Sequence, residues 1–349
     1  MGTWTPIAMA GIIALSYLIG WVIRFNIAHA EPLLNTKAPP HLLKSMEFAS
    51  NLAVFAAYLI SVAFYLRVMS AFILRSVDMN TETNANILTS LVLVLICVAG
   101  LLRGLKTLEL LEEYSVSIKL AIIGAACAGL MWFSLENGSS LPAVAETEFD
   151  LDSLRLLGGM LLMVQGFETS RYLGDEYDGP TRIRSMKYAQ ILAGAIYIGF
   201  VLLFMPLLGL VQDVPPEETA IIGMLEHVSF ILPIMMIIAA TFSQFSAAVA
   251  DTLSGGGIVR EESQGMAPAR AGYAIITIGA IILIWQINIF EIVAYASRAF
   301  AFYYFTQCLV AIIAARRSDN KNGNSLRITG FTTLALILLW ITIYAVPVE

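Results

Sequence analysis

Long apolar runs separated by short polar stretches occupy nearly the whole chain, and ten of them have the length of a membrane-crossing helix. They cover Pro6–Ile27, Met46–Leu74, Ile87–Leu102, Tyr114–Phe133, Leu154–Tyr172, Tyr188–Val211, Ser229–Leu253, Tyr273–Trp285, Ile289–Ala315 and Ile328–Val346. A helix crosses the hydrocarbon core with about 20 apolar residues, and in lipid only helices or closed barrels satisfy every backbone group. Runs of this length, without the short alternating segments of a barrel, predict an all-α integral membrane protein with about ten transmembrane helices.

Composition agrees: 58% of the 349 residues are hydrophobic and 13% are charged, against about 25% charged in a soluble domain. The net charge of −6 is scattered through loops, so no nucleic-acid partner is indicated, and the lipid bilayer is the expected surrounding. Cys97, Cys127 and Cys308 lie inside apolar runs with no C-x-x-C and no adjacent histidine. They read as packed thiols, neither a disulfide nor a metal site. The first run lacks a basic leader and a small-residue cleavage site, which argues for a span over a signal peptide.

Taken alternately, one set of loops holds Arg24, Lys37 and Lys44, then Arg103 and Lys106, then Arg171, Arg182, Arg184 and Lys187, then Arg260 and Arg270, then Arg316, Arg317, Lys321 and Arg327. The other set has only Arg75 and Arg155, both at helix ends. The positive-inside rule makes the first set cytoplasmic, as in a bacterial inner membrane, and places Met1 outside. That phase asks for one more crossing upstream of Met1.

The run Met163–Pro180, MVQGFETSRYLGDEYDGP, interrupts this pattern with Gly166 and Glu168 inside a spanning segment. A carboxylate at that depth costs a few kcal/mol and usually faces a cavity, pairs, or carries substrate or protons. Unwound backbone in a membrane is tolerated where it serves a ligand, an ion or cavity water, and Gly166 is where such a break could form. The blander alternative is a kink, with Glu168 turned back toward Arg171.

From Gly166 to Ala189, GFETSRYLGDEYDGPTRIRSMKYA resembles the sixth helix and following loop of the amino acid–polyamine–organocation (APC) superfamily. Gly100–Ile123 is similar to the loop leading into that family's fifth helix, Ala240–Pro268 to its eighth helix, and Phe290–Arg317 to its tenth. The resemblance implies helices 2–11 of a LeuT-type 5+5 inverted-repeat transporter. Residues 1–134 would be the remainder of the first repeat, 150–317 the second, and 328–347 the eleventh helix. The family's first helix, with its G-x-G break, has no counterpart before Ile12, so the resemblance also implies an upstream segment.

By the same resemblance Gln165, Gly166, Phe167 and Glu168 would contact substrate, with Phe167 as a gate and Glu168 as a proton sensor. A carboxylate in a poorly hydrated cavity can exchange protons near physiological pH. Lys119 matches a lysine whose ammonium replaces sodium in proton-coupled members, and Thr241, Ser243 and Ser246 could face that site. Lys119 is also close enough to its helix end to reach the surface, and hydroxyls pack helices generally.

Three further features read as structural. Glu291 and Arg298 share a helix face, Gly255-Gly256-Gly257 is placed to end or hinge a helix, and Arg24–Pro32 has the composition of a solvated helix end. Arg67 is a deep charge with no evident partner.

The expected function is proton- or sodium-driven transport of an amino acid or small organic amine, with no other cofactor. The alternative is a non-transporting sensor or interaction protein on the same fold. An enzyme is disfavoured: His29, His41 and His227 lie near helix ends or in loops, and no catalytic cluster occurs within the spans.

Overall fold

The computed structural model describes residues 4–103, 106–137, 150–174, 177–208, 219–317 and 321–346. Helix α1 (Thr5–Phe25) continues through a π-helical turn, Asn26–Ala30, into the short α2 (Glu31–Leu34). There follow α3 (His41–Arg75), α4 (Glu82–Arg103), α5 (Lys106–Asn137) and α6 (Leu151–Gly159). The second half holds α7 (Gly179–Leu208), α8 (Ala220–Glu226), α9 (Leu232–Glu262), α10 (Ala269–Gln286), α11 (Ile289–Arg316) and α12 (Lys321–Tyr344). Nine of the described helices are long and apolar enough to cross a membrane. The tenth predicted span is present in pieces, α6 and two 3-10 turns at Leu161–Val164 and Phe167–Tyr172.

Most helix ends lie beyond the apolar runs. Helices α3, α4 and α5 begin ahead of their runs, and α9 continues past Leu253 to Glu262. Hydropathy marks only the hydrocarbon-immersed part, whereas helical hydrogen bonding extends into polar sequence until a cap stops it. Asp150 caps α6 through the Ser153 N–H, and Asn288 with Glu291 forms a reciprocal capping box on α11.

The glycine triplet therefore is not a terminator. Helix α9 ends beyond it, where Gln264 and Gly265 take positive φ of 53° and 79°. A Cβ on Gly255 would lie 2.4 Å from Ile276 Cδ1, and one on Gly256 2.2 Å from Tyr273 Cε1. Gly272 of α10 sits against the same two residues. These glycines are the contact face of α9 on α10.

Helices α3 and α11 form the centre: 67% and 61% of their most apolar stretches are buried, against 11% for the span in α5 and 17% for α7. In lipid the drive to associate is close packing, which small residues favour. Buried α3 positions include Ser50, Ala53, Ala57, Ser61, Ala63 and Ala71, and α11 repeats the pattern at Ala294, Ala296, Ala301, Ala311 and Ala314. Helices α3, α4, α9 and α10 pack on one another, with α5 along α9. Helix α1 packs on α7 and touches the broken segment, while α11 contacts both groups.

Candidate functional site

The broken segment is held open by side chains that take over its unpaired backbone groups. Ser297 of α11 donates to Gly159 O at 2.6 Å, Ser16 of α1 to Val164 O at 3.0 Å, and Tyr197 of α7 to Met163 O at 2.9 Å. Gln165 is extended, and Gly166 takes φ 110°, a conformation that side-chain-bearing residues rarely adopt. Glu168 Oε2 then folds back to accept the Gly166 N–H at 2.8 Å, and Thr169 donates to Gly166 O at 2.7 Å. A chain break in lipid requires such replacements.

Glu168 is fully buried and accepts the Tyr304 hydroxyl of α11 at 2.8 Å on the same Oε2. Phe167 stacks on Tyr304, ring centroids 5.7 Å apart. Glu168 does not turn toward Arg171, which pairs with Glu47 of α3 at 2.7 Å and donates to Gln307. A cavity of about 300 Å³ lies at the break between α1 and α7, lined in part by Ser16, Gln165, Gly166, Phe167, Gln190 and Tyr197.

Three of the expected residues, Gln165, Gly166 and Phe167, thus border one cavity, with Glu168 behind them against α11. Gln165 donates through Nε2 to Tyr65 of α3. Lys119 stands half-buried on α5, and Thr241, Ser243 and Ser246 lie on α9, none of them lining the cavity. Thr241 donates to Ile237 O at 2.8 Å and Ser246 to Ser243 O at 3.1 Å, bonds within their own helix.

Other sequence expectations are corrected. Arg24–Pro32 is not a solvated helix end. Arg24 is buried and donates to Gln190 at 2.5 Å, and Asn26, fully buried, donates to Gln307 Oε1 at 2.8 Å. Glu31 receives both Arg182 terminal nitrogens, at 3.1 and 2.7 Å. Glu291 belongs to the α11 cap, and Arg298 donates to Ala345 O at 2.8 Å, so each has a separate task. Arg67 is bound at 3.0 Å to Asn86 of α4.

Sequence reasoning passed over Asp251, a buried acid in the middle of α9 whose Oδ2 is hydrogen-bonded with the Ser61 hydroxyl of α3. Its signal was available as a lone acid in an apolar run. It also passed over Glu47 and Gln307 and read Asn26 as solvated, because their partners lie 124 to 281 positions away in the chain. Around them Gln307 Nε2 donates to Ser50 at 2.6 Å, Arg182 to Arg171 O at 2.8 Å, Tyr172 to Asn51 at 3.2 Å and Asn51 to Glu262 at 2.6 Å. One polar network so joins the π-helical turn after α1 with α2, α3, α7, α9, α11 and the broken segment.

Comparison with known proteins agrees with this architecture. A protein of Aquifex aeolicus (strain VF5), described as uncharacterized, is 40% identical over 354 residues, covering 100% of this chain and 85% of that protein. The crystal structure of MhsT in complex with L-phenylalanine matches with a TM-score of 0.63 at 14% identity, over 99% of this chain and 92% of the other. At that identity the match establishes the fold, the LeuT-type helical arrangement with its discontinuous helix. A family model described as APC superfamily transporter matches residues 1–345, and the chain accordingly belongs to that family of membrane transporters.

Proposed function

We propose that this transporter moves an amino acid or small organic amine, coupled to protons, by alternating access at the broken segment. The observation that carries the reading is a pair of unused acceptors at a break that is already formed. Gln165 Oε1 and Glu168 Oε1 are both buried and have no hydrogen-bond partner among the described residues. Buried acceptors left unmatched are costly, and an ammonium with three N–H donors is the complement they lack. The cavity of about 300 Å³ beside them lies at the small end of the range for ligand sites, about 300–1,000 Å³. Glu168 supports proton coupling, because its hydrogen-bond partners among the described residues are a backbone N–H and a phenol, with no cation among them.

Lys119, with Thr241, Ser243 and Ser246, remains a second proposed coupling site, the lysine taking the place of a cation. The basic loops orient the polar network toward the cytoplasm. Alternating access would then rock α1, the broken segment and α7 against α3, α4, α9 and α10.

The test is a thermal-shift screen of the common amino acids and small amines against the purified protein in lipid nanodiscs, with L-phenylalanine as the first probe. Each compound that stabilises is then followed by uptake into proteoliposomes under an imposed pH or sodium gradient. Stabilisation by amines and uptake driven by the pH gradient is the expected result. A screen in which only non-amine solutes stabilise would overturn the substrate class, and uptake that follows sodium and ignores pH would overturn the coupling.

A further inference from the structure

On α3, Tyr58, Ser61 and Tyr65 fall three and four positions apart and form one polar stripe along the helix. All three are buried, Tyr58 and Ser61 completely. Both tyrosines lie within electrostatic reach of Glu168 on the broken segment and of Asp251 on α9. The Tyr58 hydroxyl has no hydrogen-bond partner among the described residues. Gln165 reaches the stripe from the break, and Ser61 reaches Asp251 from the stripe. Gln165 beside Glu168 and Ser61 beside Asp251 therefore tie both acids to one buried stripe of hydroxyls.

The geometry at Ser61 bears on where a proton resides. Ser61 Oγ lies 3.1 Å from Tyr58 O and also contacts Asp251 Oδ2. A hydroxyl has one proton to donate, and a backbone carbonyl and a carboxylate both need to receive one. Two separate hydrogen bonds, in place of one Ser61 proton shared between two acceptors, require Asp251 Oδ2 to carry a proton and donate it to Ser61 Oγ. Ser61 then donates to Tyr58 O.

We propose that Asp251 is a second proton-binding residue of the transporter, and that Asp251 and Glu168 hold one proton between them across the Tyr58–Ser61–Tyr65 stripe. The proton is taken from and returned to water, and no other species is consumed. Two like charges in a poorly hydrated layer disfavour simultaneous ionisation, so the acids titrate as a coupled pair. The titratable and charged groups on the elements packed around the pair include Tyr58, Tyr65 and Arg67 on α3, Glu168 and Tyr172 on the broken segment, Tyr197 on α7, Tyr303 and Tyr304 on α11, Tyr273 of α10 against Gly256, and Lys119 on α5. The inference rests on the proton-coupled reading for its role in transport, but proton binding itself is measurable without transport.

The test is infrared difference spectroscopy of the full chain in lipid nanodiscs during pH jumps, with no added ligand. Asp251→Asn should remove a protonated-carboxyl band, and Glu168→Gln should keep that band while moving its midpoint by about one pH unit or more. A monodisperse, helical Asp251→Asn protein with the wild-type spectrum at every pH would overturn the site. A midpoint unmoved in Glu168→Gln would overturn the sharing. Should Asp251→Asn not fold, Ser61→Ala keeps the acid and removes its acceptor, so a band at unchanged frequency would overturn the proposed bond. If the Asp251 band titrates as expected and uptake is nonetheless independent of pH, the transport reading fails while the proton site stands.

Discussion

Gly166 is the residue on which the site depends most directly. Its φ of 110° leaves open space around a notional Cβ, so alanine there meets no neighbour and the penalty is backbone strain alone. Gly166→Ala should lower stability by about 1–2 kcal/mol, read from denaturant or thermal unfolding in nanodiscs. Glu168→Gln should leave the fold intact, since an amide oxygen still accepts from Gly166 and Tyr304, but flatten the pH profile of uptake. An unaltered profile would remove Glu168 from the proton pathway. Gly166 and Glu168 stood out in the sequence because a glycine and an acid are out of place in an apolar run, whereas Gln165 and Phe167 entered only with the family resemblance. Asp251 breaks the same rule, but it sits in a helix with no break beside it, and its meaning comes from Ser61, 190 positions earlier. Separation in the chain, more than residue type, divides what could be read from what could not.

At the level of elements, the sequence located every described span and misplaced the ends, because apolar content ends at the lipid boundary while helices end at caps. Within the glycine triplet, the pattern could not distinguish a helix stop from a packing face, since both ask for glycine. The structure separates the three positions. Gly256→Ala should cost about 1–3 kcal/mol through the clash with Tyr273 and with Ala269 O, 2.9 Å away. Gly257, exposed with no atom within 4 Å, should tolerate alanine or gain up to about 1 kcal/mol of helix propensity. Parallel melting curves check the contrast. The start of α7 offers a pH test outside the membrane. Hydrogen bonds from the Thr181 hydroxyl and N–H hold the exposed Asp178 carboxyl below its ordinary range. A lowered folded value contributes stability above the unfolded pKa of about 3.9 and loses it as pH falls through the folded value. Asp178→Ala should therefore melt earlier than wild type at neutral pH, and the gap should close in acid.

For the molecule as a whole, the Arg171–Glu47 pair ties the broken segment to α3 with side chains only 3% and 16% exposed. Glu47→Gln leaves the Arg171 charge buried without its counter-ion and should cost about 3–5 kcal/mol, whereas replacing both by apolar residues of similar volume should restore most of it. Unfolding of the single and double variants decides this, and a double variant no more stable than Glu47→Gln would overturn the rescue. Arg182, which holds Glu31 and Arg171 O together, keeps α2, the broken segment and α7 as one body. The seam between that body and α3 with α11 is thus stitched by charge and amides in one part, and by apolar packing elsewhere. Those two kinds of stitch respond differently to heat. The dehydration penalty of an ion pair shrinks as temperature rises, while apolar attraction levels off. Warming should therefore loosen the greasy part of the seam first and leave the ionic part as the last to let go.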